Sequence, residues 1–121
     1  MPQYFFDHIH LMSSDPIKTA DFYQKTFGAK VVSSRDFGGG RITVNLDLAG
    51  VTVLIGKSRD DSQNGLAHFG MRTDKLEDAV SELKGKGVTF TREITPLGPK
   101  FKISFLEAPE KVSIELQEGS L

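Results

Sequence analysis

The stretch that decides the fold runs from Phe6 to Pro16 and reads FDHIHLMSSDP. Its first half alternates polar and apolar residues, which is typical of a β-strand with one buried face. Its second half ends in Asp15 followed by proline, the residue types favoured at the N-cap and the first turn of a helix. The sequence therefore predicts a strand and then an amphipathic helix, which stops at Gly28 because glycine favours the C-cap position.

The same arrangement returns about 60 residues later. Residues 68–74 read HFGMRTD, so that His68 and Asp74 follow His8 and Asp15 by 60 and 59 residues. A glutamate stands three residues after Asp74, which is the pattern of a capping box, and we predict Asp74 as the N-cap of a second helix. A constant offset of this length indicates an internal duplication.

Three further strands are predicted after each helix, separated by glycine- and proline-rich turns such as residues 96–99. They cover residues 30–37, 41–48 and 51–57 after the first helix, and 88–92, 100–106 and 112–117 after the second. The order β-α-β-β-β, present twice, predicts an α+β fold. We expect a single domain over residues 1–121, with module one at 4–57, a polar linker at 58–65 and module two at 66–118.

The composition restricts the function. The 121 residues include 15 Lys+Arg against 16 Asp+Glu, so no basic excess exists to bind nucleic acid. The absence of cysteine excludes disulfides, Cys-ligated metals and thiol catalysis. No apolar run approaches the roughly 20 residues of a membrane span, and the N-terminus lacks the pattern of a signal peptide. We therefore expect a cytoplasmic protein with no membrane or nucleic-acid partner.

All three histidines fall on the polar faces of predicted strands. Alternation places His8 and His10 on one face of the first strand, His68 on the polar face of its counterpart, and Glu115 on the polar face of the last strand. Imidazole and carboxylate bind first-row divalent metals and leave coordination positions open for substrate. A solvated sheet face shows the same alternation, so these residues alone leave both interpretations open.

These motifs resemble the vicinal oxygen chelate superfamily, which contains glyoxalase I, extradiol dioxygenases, methylmalonyl-CoA epimerase, and fosfomycin and bleomycin resistance proteins. Members open each half with a ligand histidine and a helix-capping aspartate, and close with a proline turn before a ligand glutamate, as in residues 108–116, APEKVSIEL. The resemblance implies two βαβββ modules in an eight-stranded, cup-shaped mixed sheet with helices on its outer face. It also implies one divalent ion (Fe, Mn, Ni, Zn or Co) on His8, His68 and Glu115, and a homodimer with shared active sites.

The sequence departs from glyoxalase I at one position. The fourth ligand of that enzyme, a glutamate in the last strand of module one, corresponds to Leu54, which binds no metal. The resemblance favours a lyase, isomerase or epimerase acting on a small substrate chelated through oxygens. The alternatives are an Fe(II) extradiol-type dioxygenase, a metal-free protein that sequesters a drug or metabolite, and a fosfomycin-type thiol transferase.

Several residues on these strands are candidates for catalysis or substrate binding. His10 follows His8 by two residues, so its side chain enters the same cavity, where it acts as general acid or base, supplies a further ligand or only supports a neighbouring strand. Glu115 is both a ligand and a candidate catalytic base. The residues expected to contact substrate are Asn45, Leu54, Arg72, Lys102 and Ser113, and Arg41 is a further cation able to hold an anionic substrate.

Overall fold

A computed structural model of the chain describes residues 2–120. Its elements are β1 (Tyr4–Ser13), α1 (Pro16–Phe27), β2 (Lys30–Asp36), β3 (Ile42–Leu48), β4 (Val51–Lys57), β5 (Gly65–Thr73), α2 (Leu76–Gly85), β6 (Thr89–Gly98), β7 (Phe101–Glu107) and β8 (Ser113–Gly119). The eight strands form a mixed sheet, which confirms the predicted α+β fold of two βαβββ modules. Neither helix within residues 2–120 has the length and hydropathy needed to cross a membrane.

The structure divides into two compact units, and we describe each by itself. The first unit is His8–Ala67, and the second combines residues 2–7 with residues 68–120. In the first unit the strand order is β2-β3-β4-β1, with β1 and β4 parallel and the other pairs antiparallel. Its core lies where α1 covers β3 and β4, and the buried residues there are Ala20, Ala29, Val44, Leu46, Val53 and Ile55.

Helix α1 begins and ends where the sequence predicts. The Asp15 carboxylate accepts a hydrogen bond from the Lys18 N–H at 3.1 Å, which satisfies one of the helix's unpaired amides. At the other end Gly28 adopts φ 71°, a left-handed conformation that costs glycine little. Local residues therefore define both ends of this helix.

In the second unit the strand order is β5-β8-β7-β6, with β5 and β8 parallel. The buried core beneath α2 consists of Leu76, Ala79, Val80 and Leu116, with Met71 and Phe90 packed against it. Because Leu116 and Met71 are register partners that both face α2, the neighbouring residues of β5 and β8 point to the other face of these strands. That other face carries Glu115.

The N-terminus of α2 differs from the prediction. Lys75, rather than Asp74, occupies the N-cap position, and its side chain makes no capping hydrogen bond. The carboxylate of Asp74 instead accepts the Gln3 N–H at 3.2 Å, and the first amide of the helix, on Leu76, donates to Glu118 Oε1 at 2.8 Å. The predicted Asp74 cap is wrong because a glutamate from a distant strand satisfies the helix end.

Strand β6 also runs further than predicted. The turn expected at residues 96–99 begins only at Pro99, because Pro96 pairs with Lys102 and Gly98 with Phe101 inside the β6–β7 ladder. The strand lies at an end of the sheet, where the missing N–H of proline disrupts no second ladder. Three register shifts along β6 accommodate these residues.

Candidate metal centre

His8 and His10 share one face of β1 in the first unit. His8 is 3% exposed and His10 is half-buried. Their ring centroids lie 6.3 Å apart at an angle of 62°, as expected for side chains two residues apart on a strand. Ile9, between them, packs on the opposite side against the core beneath α1. The alternation thus separates the histidines from the apolar core.

The residues of β4 that pair with this part of β1 are apolar or small. Leu54 on β4 is the register partner of His10, and Asn45 on β3 is the partner of Leu54. The next pair along β1 and β4 is Met12 and Gly56, and the His10 Nε2 atom lies close to Gly56. Leu54 and Asn45 are therefore aligned with His10 across three strands, with the apolar Leu54 between the two polar side chains.

In the second unit His68 and Glu115 lie side by side. Glu115 on β8 is opposite Gly70 on β5, two residues beyond His68, so the two side chains share a face. The His68 Nε2 and Glu115 Oε1 atoms are 3.7 Å apart, and the side chains are only 13% and 12% exposed. An imidazole nitrogen and a carboxylate oxygen thus stand together, mostly withdrawn from water.

An aromatic residue borders this pair. The ring of Phe105 on β7 meets the His68 imidazole edge-to-face, with centroids 5.1 Å apart, and Phe105 is the register partner of Glu115. An apolar neighbour lowers the local dielectric, which strengthens the interaction of the carboxylate with a cation. Phe105 is not among the site residues predicted from the sequence. It lies two residues after Ile103 on β7, so the two side chains share a face.

The donor set suits a divalent first-row metal. His8 and His10 in the first unit and His68 in the second each offer one imidazole nitrogen as a metal ligand. Glu115 adds a carboxylate oxygen beside His68. Neutral imidazole and carboxylate are ligands that zinc, iron, manganese, nickel and cobalt accept, so the residues present fit the ion that the resemblance implies.

The cations expected to contact substrate occupy different surroundings. The Arg72 Nε atom lies 3.4 Å from Asp7 Oδ1, and its guanidinium carbon lies 4.9 Å from the centre of the Phe5 ring. Arg72 alternates with Met71, so it lies on the same face of β5 as His68. It is half exposed, with an acidic and an aromatic neighbour. Arg41 donates to the carbonyl oxygens within its own hairpin.

Lys102 lies on the side of β7 that faces α2. Its ammonium donates to Glu77 Oε1 at 2.9 Å, a hydrogen bond that raises the pKa of Lys102, and lies 3.8 Å from Glu118 Oε2. Its register partner Glu118 is three residues from Glu115, so the two glutamates point to opposite faces of β8. The structure thus separates Lys102 from Glu115, whereas Ser113, two residues before Glu115, shares its face.

The sequence profile of the Glyoxalase/Bleomycin resistance protein/Dioxygenase superfamily matches residues 5–116. This match covers nearly all of both βαβββ modules and includes His8, His10, His68 and Glu115. The chain therefore belongs to the Glyoxalase/Bleomycin resistance protein/Dioxygenase superfamily.

Curated proteins similar to most of this chain include lactoylglutathione lyases. A lactoylglutathione lyase of Arabidopsis thaliana is 30% identical over 122 residues, covering 92% of this chain and 43% of that protein. The chain thus spans less than half the length of this plant relative. A lactoylglutathione lyase of Neisseria meningitidis is 29% identical over 118 residues, covering 89% of this chain and 86% of that protein.

Solved structures share the fold. A hypothetical protein from Bacillus halodurans superposes with a TM-score of 0.79 at 18% identity, covering 98% of this chain and 96% of that one. Methylmalonyl-CoA epimerase from Mycobacterium tuberculosis superposes with a TM-score of 0.74 at 20% identity, covering 96% of this chain and 88% of that one. At these identities the likeness supports the fold alone.

Proposed function

We propose that the chain is a divalent-metal-dependent lyase, isomerase or epimerase that moves a proton next to a carbonyl group of a small substrate. The observation that carries the proposal is the His68–Glu115 pair, a nitrogen and an oxygen donor 3.7 Å apart and largely buried. A carboxylate beside an imidazole suits both metal binding and proton transfer. Membership of the superfamily and the lactoylglutathione lyase relatives support the reaction class.

The names of the similar proteins share one chemical feature. Lactoylglutathione and methylmalonyl-CoA are both thioesters with a C–H bond next to the thioester carbonyl. Removal of that proton leaves an enolate, whose negative charge develops on the carbonyl oxygen. We therefore propose a thioester, or another carbonyl compound with an acidic neighbouring C–H, as the substrate class.

Three residues would hold the metal ion in this proposal. These are His8, His68 and Glu115, and the ion would be one of Fe, Mn, Ni, Zn or Co. When bound, such an ion supplies a Lewis acid that stabilises negative charge on a carbonyl oxygen.

The homodimer with shared active sites also stays a prediction. Sedimentation velocity will check whether the chain forms a dimer.

His10 is our candidate for the proton carrier. Leu54, its register partner, has no group that can accept a proton, whereas an imidazole exchanges protons near neutral pH. In the forward direction His10 takes the proton from the substrate carbon and leaves an enolate. In the second step the imidazolium returns the proton to carbon, so the protein ends the cycle unchanged.

Metal content tests the proposed centre. We expect about one first-row metal per chain in the purified protein, because the three proposed ligands form one centre. Glu115→Gln and His68→Ala should lose the metal while remaining folded by circular dichroism. Glu107→Gln, the same change at an exposed position of β7, should retain it. Full metal occupancy in Glu115→Gln, or no metal in the parent after reconstitution, would overturn the centre, and the second result would favour a sequestering protein.

Proton exchange tests the reaction. We expect the parent to exchange the C–H next to the carbonyl of S-lactoylglutathione or methylmalonyl-CoA with deuterium from solvent, as followed by proton NMR. His10→Ala should retain metal and lose exchange. Oxygen uptake with a catechol and no exchange with either thioester would instead identify a dioxygenase.

A further inference from the structure

Gly56 is an unusual residue for its place in the first unit. It lies inside β4 between Ile55 and Lys57, where β-branched residues are favoured and glycine weakens the strand. Its φ is not positive, so the backbone there does not require glycine. A glycine inside a strand often marks a place where another group approaches closely. The question is therefore which group needs the space above Gly56.

That group is the His10 imidazole. A Cβ atom at position 56 would lie 3.1 Å from His10 Nε2, closer than ordinary van der Waals contact, and 3.4 Å from Met12 Sδ. The imidazole therefore occupies space that any side chain at position 56 would enter.

The strand register shows how His10 uses this space. Its register partner is Leu54, and Gly56 is the partner of Met12, two residues further along β1. The imidazole thus leans along the strand toward the next pair of residues. This orientation places Nε2 beside Gly56 of β4.

We propose that Gly56 is a positioning residue for His10, and that a side chain at position 56 displaces the imidazole from the orientation in which it transfers a proton. The proposal rests on the proposed function, because it takes His10 as the proton carrier. It goes further in naming a residue that touches neither substrate nor metal. The accepting atom of a proton carrier must lie within about 3.2 Å of the atom that bears the proton, so a shift of a few tenths of an ångström to one ångström matters.

The test compares two glycine-to-alanine variants. Gly56→Ala places a methyl group against the imidazole, whereas a Cβ at Gly85, at the end of α2, would meet no described atom within 4 Å. The first readout is the proton NMR spectrum of the histidine rings in the metal-stripped protein at one fixed pH. The chain has three histidines, so the His10 signals are identified by their loss in His10→Ala.

We expect the His10 ring signals to move in Gly56→Ala and to stay in place in Gly85→Ala. With metal restored, the thioester exchange rate of Gly56→Ala should fall about ten- to hundredfold, with metal content unchanged. Unmoved ring signals, or moved signals with an unchanged exchange rate, would overturn the proposal. A parent without exchange activity would overturn the proposed function, while the ring signals would still decide whether Gly56 positions His10.

Met12 provides a second comparison, because the new methyl group would also approach its sulfur. We expect Gly56→Ala to lower the exchange rate by the same factor in two backgrounds. One background is the parent and the other is Met12→Ala. Restoration of exchange in the double variant would assign the effect to crowding of Met12 and overturn the role of Gly56 in positioning His10.

Discussion

His10 and Leu54 are register partners in the parallel pair formed by β1 and β4. In the resemblance to glyoxalase I, position 54 is that of the fourth ligand, a glutamate. The first unit therefore carries an imidazole beside the place from which a carboxylate is missing. The residue at position 54 is therefore a departure of this chain from the pattern of that enzyme.

A carboxylate introduced at position 54 should strengthen metal binding. We expect Leu54→Glu to lower the dissociation constant of the metal about tenfold, because a charge-assisted interaction contributes about 1.5–3 kcal/mol. Competition with a chelator measures the change. Leu54→Gln, of similar size but without the charge, should leave the affinity near that of the parent. Equal affinities in both variants would show that position 54 does not reach the metal.

The start of α2 should depend on Glu118 and only weakly on Asp74. Glu118 Oε1 accepts the Leu76 N–H, so Glu118→Ala should lower the free energy of unfolding by about 1 kcal/mol, as for loss of a helix cap. Urea denaturation measures the difference. Glu118→Gln keeps a hydrogen-bond acceptor, so its free energy of unfolding should fall less than that of Glu118→Ala. If Asp74→Ala lowered the free energy of unfolding more than Glu118→Ala, Asp74 would be the cap, as the sequence predicts.

Removal of a buried hydroxyl should stabilise the second unit. Ser104 is 0% exposed, and its Oγ atom has no hydrogen-bond partner among residues 2–120. We expect Ser104→Ala to raise the free energy of unfolding by about 1 kcal/mol, because a buried unsatisfied group is costly. Ser13→Ala is the opposite case, because Ser13 Oγ is hydrogen-bonded to Thr19 Oγ1 at 2.6 Å. Its removal should lower the free energy of unfolding by about 1 kcal/mol. Destabilisation by Ser104→Ala in urea denaturation would contradict the expectation.

Tyr4 should titrate at unusually high pH. Partial desolvation of the phenol and then its hydrogen bond to Glu82 raise the pKa of Tyr4 to about 12. Because this pKa is raised on folding, the stabilisation is fully present below the unfolded value of 10 and is lost as the pH rises through about 12. The phenolate absorbance of the parent minus that of Tyr4→Phe measures the pKa.

Glu82→Gln provides the control for this titration. The variant removes the charge that opposes ionisation of Tyr4, so the pKa of Tyr4 should fall toward 10. A Tyr4 pKa near 10 in the parent would contradict the hydrogen bond between the two side chains.

The sequence predicts those features that depend on neighbouring residues. Both ends of α1 follow from Asp15 and Gly28, which act within one turn of the helix. The alternation of β1 and β8 places His8, His10 and Glu115 on faces away from the helices, because a strand has a period of two. The order of elements follows from the duplication, which the turn residues between strands make visible.

The features that the sequence misses depend on distant residues. Glu118 is 42 residues from the amide that it caps, so a local capping pattern at Asp74 misleads. Pro96 acts as a turn signal except at the end of a sheet, and strand order is not visible in the local pattern. Gly56 is a glycine inside an apolar strand, which indicates that another group approaches closely. That group can be identified only from the β1–β4 register.

The two helix starts also differ in when they can be completed during synthesis. The cap of α1 is available as soon as Lys18 leaves the ribosome, three residues after Asp15. The partner of the first α2 amide is made 42 residues later, after β6 and β7. Although the modules repeat one architecture, the nascent first helix can acquire its N-terminal hydrogen bond locally, whereas the second must wait until β8 has been translated.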